Sequence, residues 1–232
     1  RSRRQRHLHS KPKLMKLMTH LVAGYPSIEE SKKIALAMAS AGSDIIEIQI
    51  PFSDPIADGE KIAKANVEAI KNGITTKKAL ELIDEIIAET DKEVVVMTYY
   101  NIVLKYGAEH FAKYKMIIPD LPFDENPDIP TIPVVAPTTT TERLKQIPKN
   151  HFIYCMARAG TTGKKTEINE ETKQYLTRIR QNTDLPLAVG FGIRSKEQID
   201  ALTPYADIAV IGSLFIDKSP EETAELIKNL KP

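Results

Sequence analysis

Residues 44–62 read DIIEIQIPFSDPIADGEKI, and this stretch decides the fold. Its first seven residues have the pattern of a β-strand, in which alternate side chains point to the same face. One face carries isoleucines alone, whereas Glu47 and Gln49 share the other face with Ile45. An apolar face packs against helices and a mixed face lines an interior, so the pattern favours a barrel strand with a functional lumen. The loop that follows adds a second carboxylate, Asp58.

Outward from this stretch, eight strand patterns alternate with helical patterns along the chain. The predicted strands are 17–24, 44–50, 93–101, 116–122, 133–137, 151–157, 185–192 and 207–213. The predicted helices are 27–42, 60–73, 75–90, 106–115, 139–147, 169–182, 195–205 and 219–230. Such alternation predicts a parallel sheet, and eight units in a chain of 232 residues predict an α/β fold, a single-domain (β/α)8 TIM barrel. Ser27 and Glu30 predict a capping box at the first helix.

Two connections are too short for this scheme. A predicted helix meets the fourth strand around Lys115 without the usual linking residues, and only FDENPDIPTIP separates Pro122 from the fifth strand. A crossover helix with two turns does not fit in that length. Either these two units are degenerate or residues are missing from the connections, and we favour missing residues.

Charge divides the chain unevenly. Residues 1–16 hold seven of the 32 Lys and Arg residues and no acidic residue, whereas acidic residues outnumber basic ones in the remainder. A single basic run without interleaved aromatic residues is weak support for a nucleic-acid-binding arm. We therefore expect a basic N-terminal extension at 1–16 that is disordered or not native, a barrel at 17–232, and no nucleic-acid partner.

Composition and motifs exclude several classes of function. There is no apolar run of membrane-spanning length, and the single cysteine, Cys155, suits a reducing compartment, so a cytoplasmic protein without a membrane partner is expected. The five histidines show no metal-ligand spacing, and no metal is expected. Lysines are absent from the predicted strand ends, which argues against a Schiff-base aldolase. Ser213 lacks a nearby His–Asp pair, and Cys155 fits a packed strand position better than a nucleophile.

Glycines at the ends of two neighbouring strands indicate a phosphate site. Gly190, Phe191 and Gly192 follow the seventh strand, and Gly212 and Ser213 follow the eighth. These two loops form the usual phosphate cradle of a TIM barrel, and glycine lets backbone N–H groups approach an anion closely. A helix beginning near Leu214 or Ser219 would add its dipole. Taken singly, each of these glycines is also explained as a simple turn residue.

Each of the two carboxylates has a functional and a structural interpretation. Glu47 would be partly desolvated in a lumen, and such carboxyl groups suit acid–base chemistry near neutral pH. The alternative for Glu47 is a buried structural ion pair. Asp58 precedes Gly59 and could instead cap the following helix. The residues alone leave both alternatives open.

Seven segments, in this order, closely resemble the tryptophan synthase alpha subunit family: EIQIPFSDPIADG, MTYYN, IIPDLP, VAPTT, RAGTTG, AVGFGI and VIGS. The resemblance runs from about Met18 to Leu230, and PFSDPxADG is its most specific part. It implies a (β/α)8 barrel that cleaves indole-3-glycerol phosphate, by a retro-aldol reaction, to indole and glyceraldehyde 3-phosphate. It also implies no cofactor in this subunit and a pyridoxal-phosphate beta subunit as partner in an alpha2beta2 tetramer.

The resemblance assigns roles residue by residue. Glu47 and Asp58 take the positions of the catalytic glutamate and aspartate. The substrate-binding positions are Tyr154, Thr162, Gly163, Gly190, Phe191, Gly192, Gly212 and Ser213. Gln49 and His20 depart from the pattern, because small or apolar residues are expected at the first position and aromatic or apolar residues at the second. Two alternative functions remain: another phosphate-binding TIM-barrel enzyme, such as a sugar-phosphate isomerase, and a non-catalytic subunit that activates a beta partner.

Overall fold

A computed structural model describes residues 14–125, 129–149, 151–156, 169–190 and 192–231. It contains eight parallel strands in one sheet. The strands are β1 Lys16–Val22, β2 Ile45–Gln49, β3 Glu93–Met97, β4 Met116–Ile117, β5 Val134–Val135, β6 Ile153–Met156, β7 Leu187–Gly190 and β8 Ile208–Ile211. Each lies inside a predicted strand or within one residue of it, so the predicted (β/α)8 barrel is confirmed.

Helices follow each strand except β4 in the described part of the chain, with two after β2, and they cover the outside of the sheet. They are α1 Ile28–Ala41, α2 Glu60–Lys71, α3 Thr76–Glu89, α4 Tyr100–Tyr106, α5 Thr141–Leu144, α6 Glu170–Arg180, α7 Lys196–Leu202 and α8 Pro220–Leu230, with a short 3-10 helix at Ala108–His110. Side chains of Ser27, Thr75, Thr140, Asn169 and Ser219 each accept a backbone N–H at a helix start. These caps satisfy donors that a helix cannot satisfy internally, which explains where the helices begin.

Only one of the two hydrogen bonds of the predicted capping box forms at the first helix. Ser27 Oγ accepts the Glu30 N–H at 3.1 Å, but the Glu30 carboxylate binds Lys33 Nζ at 2.6 Å. A complete capping box forms instead at α8, between Ser219 and Glu222.

The strand order is β4-β3-β2-β1-β8-β7-β6-β5, so β4 and β5 must meet for the barrel to close. They meet just before β5. Met116 N donates to Pro130 O at 3.1 Å, Ile132 N donates to Met116 O at 2.7 Å, and Met116 forms a parallel bridge with Thr131. The ring is therefore closed by a segment that immediately precedes β5.

The short connections are accommodated without a crossover helix in the described part of the chain. Between Ile117 and Val134, the described residues form turns and then pair directly with β4. Arg143 on α5 pairs with Asp124 and lies over the Phe123 ring, 5.3 Å from its centroid, which ties this connection to the next unit.

The predicted helix at 106–115 is wrong. The helix lies earlier, at Tyr100–Tyr106, and β3 ends at Met97 rather than at 101. Asp120 explains its start, because its carboxylate accepts the Tyr100 N–H at 2.9 Å. Gly107 explains its end, because its φ of 108° lies in a region that side chains disfavour.

Two layers of side chains fill the interior. One layer lies between sheet and helices and includes Ile46, Ile48 and Ile50. The other fills the lumen and includes Met18, Ile45, Val95, Met97, Tyr99, Ile117, Ile132, Phe152, Ala188, Ile208 and Val210. The two faces of β2 therefore point as its alternation predicts. All five residues of β2 are buried, as expected for a parallel strand covered on both faces.

Two aspartates fix the starts of neighbouring strands by the same arrangement. Asp44 N donates to Leu17 O at 2.8 Å while its carboxylate accepts the Leu17 N–H at 2.8 Å. Asp207 N donates to Leu187 O at 3.0 Å while its carboxylate accepts the Leu187 N–H at 2.7 Å. The Asp207 carboxylate also pairs with Arg180 at 2.5 Å. Each aspartate thus locks the register of β2 on β1 or of β8 on β7.

Replacing Asp207 by alanine should destabilise the barrel by about 2–4 kcal/mol, because a buried N–H loses its acceptor and Arg180 loses its partner. Asp207→Asn keeps an oxygen for the N–H and should cost less. Urea unfolding of both variants measures the difference. Equal stability of Asp207→Ala and the parent protein would contradict this account of the register.

Candidate active site

The register of β1 on β2 brings a histidine against Glu47. His20 pairs with Glu47 in the ladder, and both side chains face the lumen. His20 Nδ1 lies 3.0 Å from Glu47 Oε2. The two residues are almost fully buried, with 5% and 2% of their surface exposed. Glu47 therefore occupies the predicted lumen position and also belongs to the buried pair that the structural alternative anticipated.

Asp58 lies at the mouth of the barrel and does not cap the following helix. Gly59 is the capping residue of α2, and as a glycine it makes no side-chain cap bond. One oxygen of Asp58 instead accepts two hydrogen bonds, from Gln49 Nε2 at 2.7 Å and from the Tyr99 hydroxyl at 3.0 Å. The capping alternative for Asp58 is thereby excluded, and the carboxylate is held over the end of β2.

Tyr99 and Asn66 hold the loop that carries Asp58. The Tyr99 hydroxyl accepts the Ala57 N–H at 3.1 Å, and Asn66 Oδ1 accepts the Phe52 N–H at 2.9 Å. Asn66 Oδ1 also accepts a weaker bond from Gln49 Nε2 at 3.3 Å. Strand β2, its loop and α2 thus share one buried polar network.

Sequence reasoning did not identify Tyr99, Asn66 or His20 as members of this network. Tyr99 continues the lumen-facing alternation of β3, two residues after Met97. The His20 side chain similarly follows Met18 on the lumen face of β1. Alternation was therefore an available signal for His20 and Tyr99, but it does not identify their partners.

Burial and neighbouring charges shift the ionisation of the site. Burial raises the pKa of Asp58 above its usual range, while the bonds from Gln49 and Tyr99 and the charge of His20 act in the opposite direction. Burial lowers the pKa of His20, but the hydrogen bond and charge of Glu47 outweigh it, so the net pKa is raised. Burial, with both carboxylates nearby, raises the pKa of Tyr154 well above its usual value.

The predicted phosphate residues that the structure describes lie at the ends of β7 and β8. Gly190 ends β7, where an added Cβ would lie 3.5 Å from the Tyr154 hydroxyl. Gly192 has a φ of 64°, which favours glycine. Gly212 follows β8, where an added Cβ would come within 3.3 Å of the His20 ring, and Ser213 beside it is buried. Thr162, Gly163 and Phe191 lie outside the described residues.

The start of α8 is not an open anion site. Of the two predicted helix starts, near Leu214 or near Ser219, the second is correct: Ser219 caps a helix that begins at Pro220, and the side chains of Ser219 and Glu222 each accept a backbone N–H there. A turn follows β8, in which Phe215 N donates to Gly212 O at 3.0 Å. The backbone N–H groups of Ser219 and Glu222 at the α8 terminus are therefore already hydrogen-bonded within the capping box.

Other kinds of site find no support among the residues that the structure describes. In that part of the chain, no group of three His, Cys, Asp or Glu side chains is arranged to hold a metal ion. No helix there is long and apolar enough to span a membrane. Cys155 is fully buried, and burial raises the pKa of its thiol, as expected for a packed strand residue.

Replacing Asp58 by asparagine should stabilise the protein at pH 7. Because the folded state raises the pKa of Asp58, ionising it above the unfolded value of 3.8 costs folding free energy, and the amide removes that cost. The gain in melting temperature should shrink as the pH falls toward 4. Thermal denaturation across this range measures it, with Asp91→Asn, whose side chain is 86% exposed, as the control. A lower melting temperature for Asp58→Asn at pH 7 would contradict the prediction.

Comparison with known proteins agrees with the geometry. The family model for the tryptophan synthase alpha chain matches residues 7–231. The tryptophan synthase alpha chain of Petrotoga mobilis is 40% identical, with 93% of this chain aligned to 92% of that one. That of Desulforapulum autotrophicum is 42% identical over 86% of each chain.

Solved structures give the same result. A tryptophan synthase from Mycobacterium tuberculosis is 30% identical with a TM-score of 0.86, covering 94% of this chain and 92% of that one. A tryptophan synthase complex from Pyrococcus furiosus is 29% identical with a TM-score of 0.82, covering 94% and 98%. This chain therefore belongs to the tryptophan synthase alpha chain family, the lyases that cleave indole-3-glycerol phosphate in tryptophan biosynthesis.

Proposed function

We propose that Glu47 and Asp58 are the catalytic residues with which this chain cleaves indole-3-glycerol phosphate. The observation that carries the proposal is that two buried carboxylates share the mouth of one barrel but have different hydrogen-bond partners. Glu47 contacts His20, whereas Asp58 accepts bonds from Gln49 and Tyr99. Pairs of carboxyl groups in different environments are a common basis for separate acid and base roles.

Glu47 supplies the proton transfers. Cleavage requires a proton to be added to ring carbon C3 and another to be removed from the hydroxyl on the side-chain carbon bonded to C3. The C3–carbon bond then breaks, its electron pair returns to the indole ring, and the hydroxyl carbon becomes the aldehyde of glyceraldehyde 3-phosphate. The two transfers run in opposite directions, so one carboxyl group returns to its initial state. The lumen position of Glu47 supports this role.

Asp58 stabilises the indole nitrogen. The N–H of the ring becomes more acidic and more positive when C3 is protonated, and an ionised carboxylate opposite it lowers the energy of that state. The bonds from Gln49 Nε2 and the Tyr99 hydroxyl favour the charged form of Asp58. They also leave its other oxygen for the substrate.

The phosphate end of the substrate is assigned to the loops at the ends of β7 and β8. Gly192, Gly212 and Ser213 supply backbone and hydroxyl donors from the turns after β7 and β8, where TIM barrels hold phosphate. Gly190 and Tyr154 pack beside them. By resemblance, Thr162, Gly163 and Phe191 complete this part of the site.

This chain is assigned no cofactor of its own, and pyridoxal phosphate belongs to a beta subunit. The name of the solved Pyrococcus furiosus relative describes a tryptophan synthase complex, which supports a beta partner here too. We assign an alpha2beta2 assembly in the cytoplasm. The partner receives indole, so the mouth of the barrel must face it.

Replacing Glu47 by glutamine should lower kcat for indole release by about 10²–10⁴-fold, because the acid–base group is lost while its shape remains. A coupled assay of glyceraldehyde 3-phosphate measures the rate. Glu81→Gln on the exposed face of α3 is the matched control and should leave the rate unchanged. Normal cleavage by Glu47→Gln would show that the assigned mechanism is wrong.

Adding a beta subunit should raise a low rate of indole release, because the partner closes the mouth of the barrel and excludes water. Indole formation with and without the partner measures this.

The two alternative functions predict different results. A sugar-phosphate isomerase would turn over a phosphosugar that lacks an indole ring. A non-catalytic subunit would still activate the partner after loss of both Glu47 and Asp58.

A further inference from the structure

Each proposed catalytic carboxylate is held by one nitrogen of a buried polar side chain. His20 Nδ1 binds Glu47, and Gln49 Nε2 binds Asp58, at 3.0 Å and 2.7 Å. Each carboxylate therefore has one nitrogen of a buried side chain within hydrogen-bonding distance. The imidazole of His20 can carry a positive charge, whereas the amide of Gln49 is always neutral.

The remaining polar atom of each partner is buried and unsatisfied within the described residues. His20 Nε2 and Gln49 Oε1 have no hydrogen-bond partner there. A buried polar atom left unpaired costs on the order of 1–3 kcal/mol. A phenylalanine in place of His20 or a methionine in place of Gln49 would remove that cost, but it would also take away the donor to buried Glu47 or Asp58. Each of these two residues therefore satisfies a buried carboxylate with one polar atom and leaves its other polar atom unpaired among the described residues.

The surroundings leave His20 little freedom. Its ring lies between Glu47 on β2 and Gly212 after β8, where even a methyl group would contact it at 3.3 Å. The titratable groups that act on it are Glu47 and Asp58. Tyr154 on β6 responds to the same two carboxylates, and Tyr99 on β3 binds Asp58 directly.

We propose that His20 and Gln49 are positioning residues of the acid–base site, each of which orients one carboxylate. They also determine which carboxylate can share a proton with its neighbour: Glu47 can share one with His20, whereas Asp58 cannot share one with Gln49. His20 holds Glu47 at 3.0 Å, a contact along which a proton can pass between the imidazole and the carboxylate. Gln49 donates to Asp58 without being able to take its proton. The inference rests on the proposed roles of Glu47 and Asp58.

Substitutions of His20 separate its role as a hydrogen-bond partner of Glu47 from its role as a titratable group. Asparagine places an amide nitrogen near the Nδ1 position, whereas phenylalanine keeps only the ring. His20→Phe should lower kcat by roughly 10-fold or more. His20→Asn should recover most of kcat. Both should lose one ionisation from the pH profile of kcat/KM. His110→Phe, half exposed on the 3-10 helix, is the matched control.

Substitution of Gln49 tests whether its amide acts on Asp58. Gln49→Met keeps an unbranched side chain of similar size and removes the donor to Asp58. Because that donor favours the charged form, the pKa of Asp58 should rise further, and the acid limb of the kcat profile should move to higher pH. Gln174→Met on the exposed face of α6 is its control.

A measurement independent of catalysis tests the coupling itself. NMR titration of the His20 imidazole, assigned by comparison with His20→Phe, should show a pKa that falls in Glu47→Gln. No change in that pKa, or a His20→Phe enzyme with parental kcat and pH profile, would overturn the inference. If the pKa falls but Glu47→Gln still cleaves the substrate normally, the proposed catalytic role of Glu47 fails while the coupling stands.

Discussion

The register of β1 on β2, set by Asp44, is the constraint on which the site depends. Asp44 exchanges two hydrogen bonds with Leu17, one through its backbone and one through its carboxylate. Three residues further along each strand lie His20 and Glu47, which therefore become ladder neighbours on the lumen face. A shift of one residue would point Glu47 into the helix layer, because side chains alternate along a strand. A contact at the start of the strands thus fixes the chemistry near their end.

The lumen combines two opposing demands. Its lower layers are apolar and close-packed, as stability requires, whereas the layer near the mouth holds His20, Glu47, Gln49 and Asp58, all buried. Burial raises the pKa of Asp58, and within this layer His20 Nε2 and Gln49 Oε1 have no hydrogen-bond partner among the described residues. This polar layer therefore lowers the stability of the fold. The surrounding apolar layers and the contacts of Asp44 and Asp207 at the strand starts compensate for that loss. In return, fixed dipoles lie near the reacting atoms, where they stabilise charge that develops in the transition state.

Much of the fold and part of the site were predictable from local patterns. Eight strands followed from apolar runs and alternation, and both carboxylates followed from their positions at a strand end. The helix after β3 was misplaced because its start depends on Asp120, which is distant in sequence and accepts the Tyr100 N–H. Of the two helix starts expected after β8, near Leu214 or near Ser219, the second is correct, because the chain turns after Gly212 and α8 begins at the capping box of Ser219 and Glu222.

The amino-acid sequence by itself determined the barrel, the lumen face of β2 and the identity of the two carboxylates, because periodicity and turn residues act over a few neighbouring positions. Only the tertiary structure decided which groups those carboxylates meet. Gly212 reaches His20 across β8 and β1, Tyr99 reaches Asp58 from β3, and Pro130 to Ile132 close the ring on Met116. These contacts join segments far apart in the chain, so they depend on strand register and on closure of the barrel rather than on local pattern.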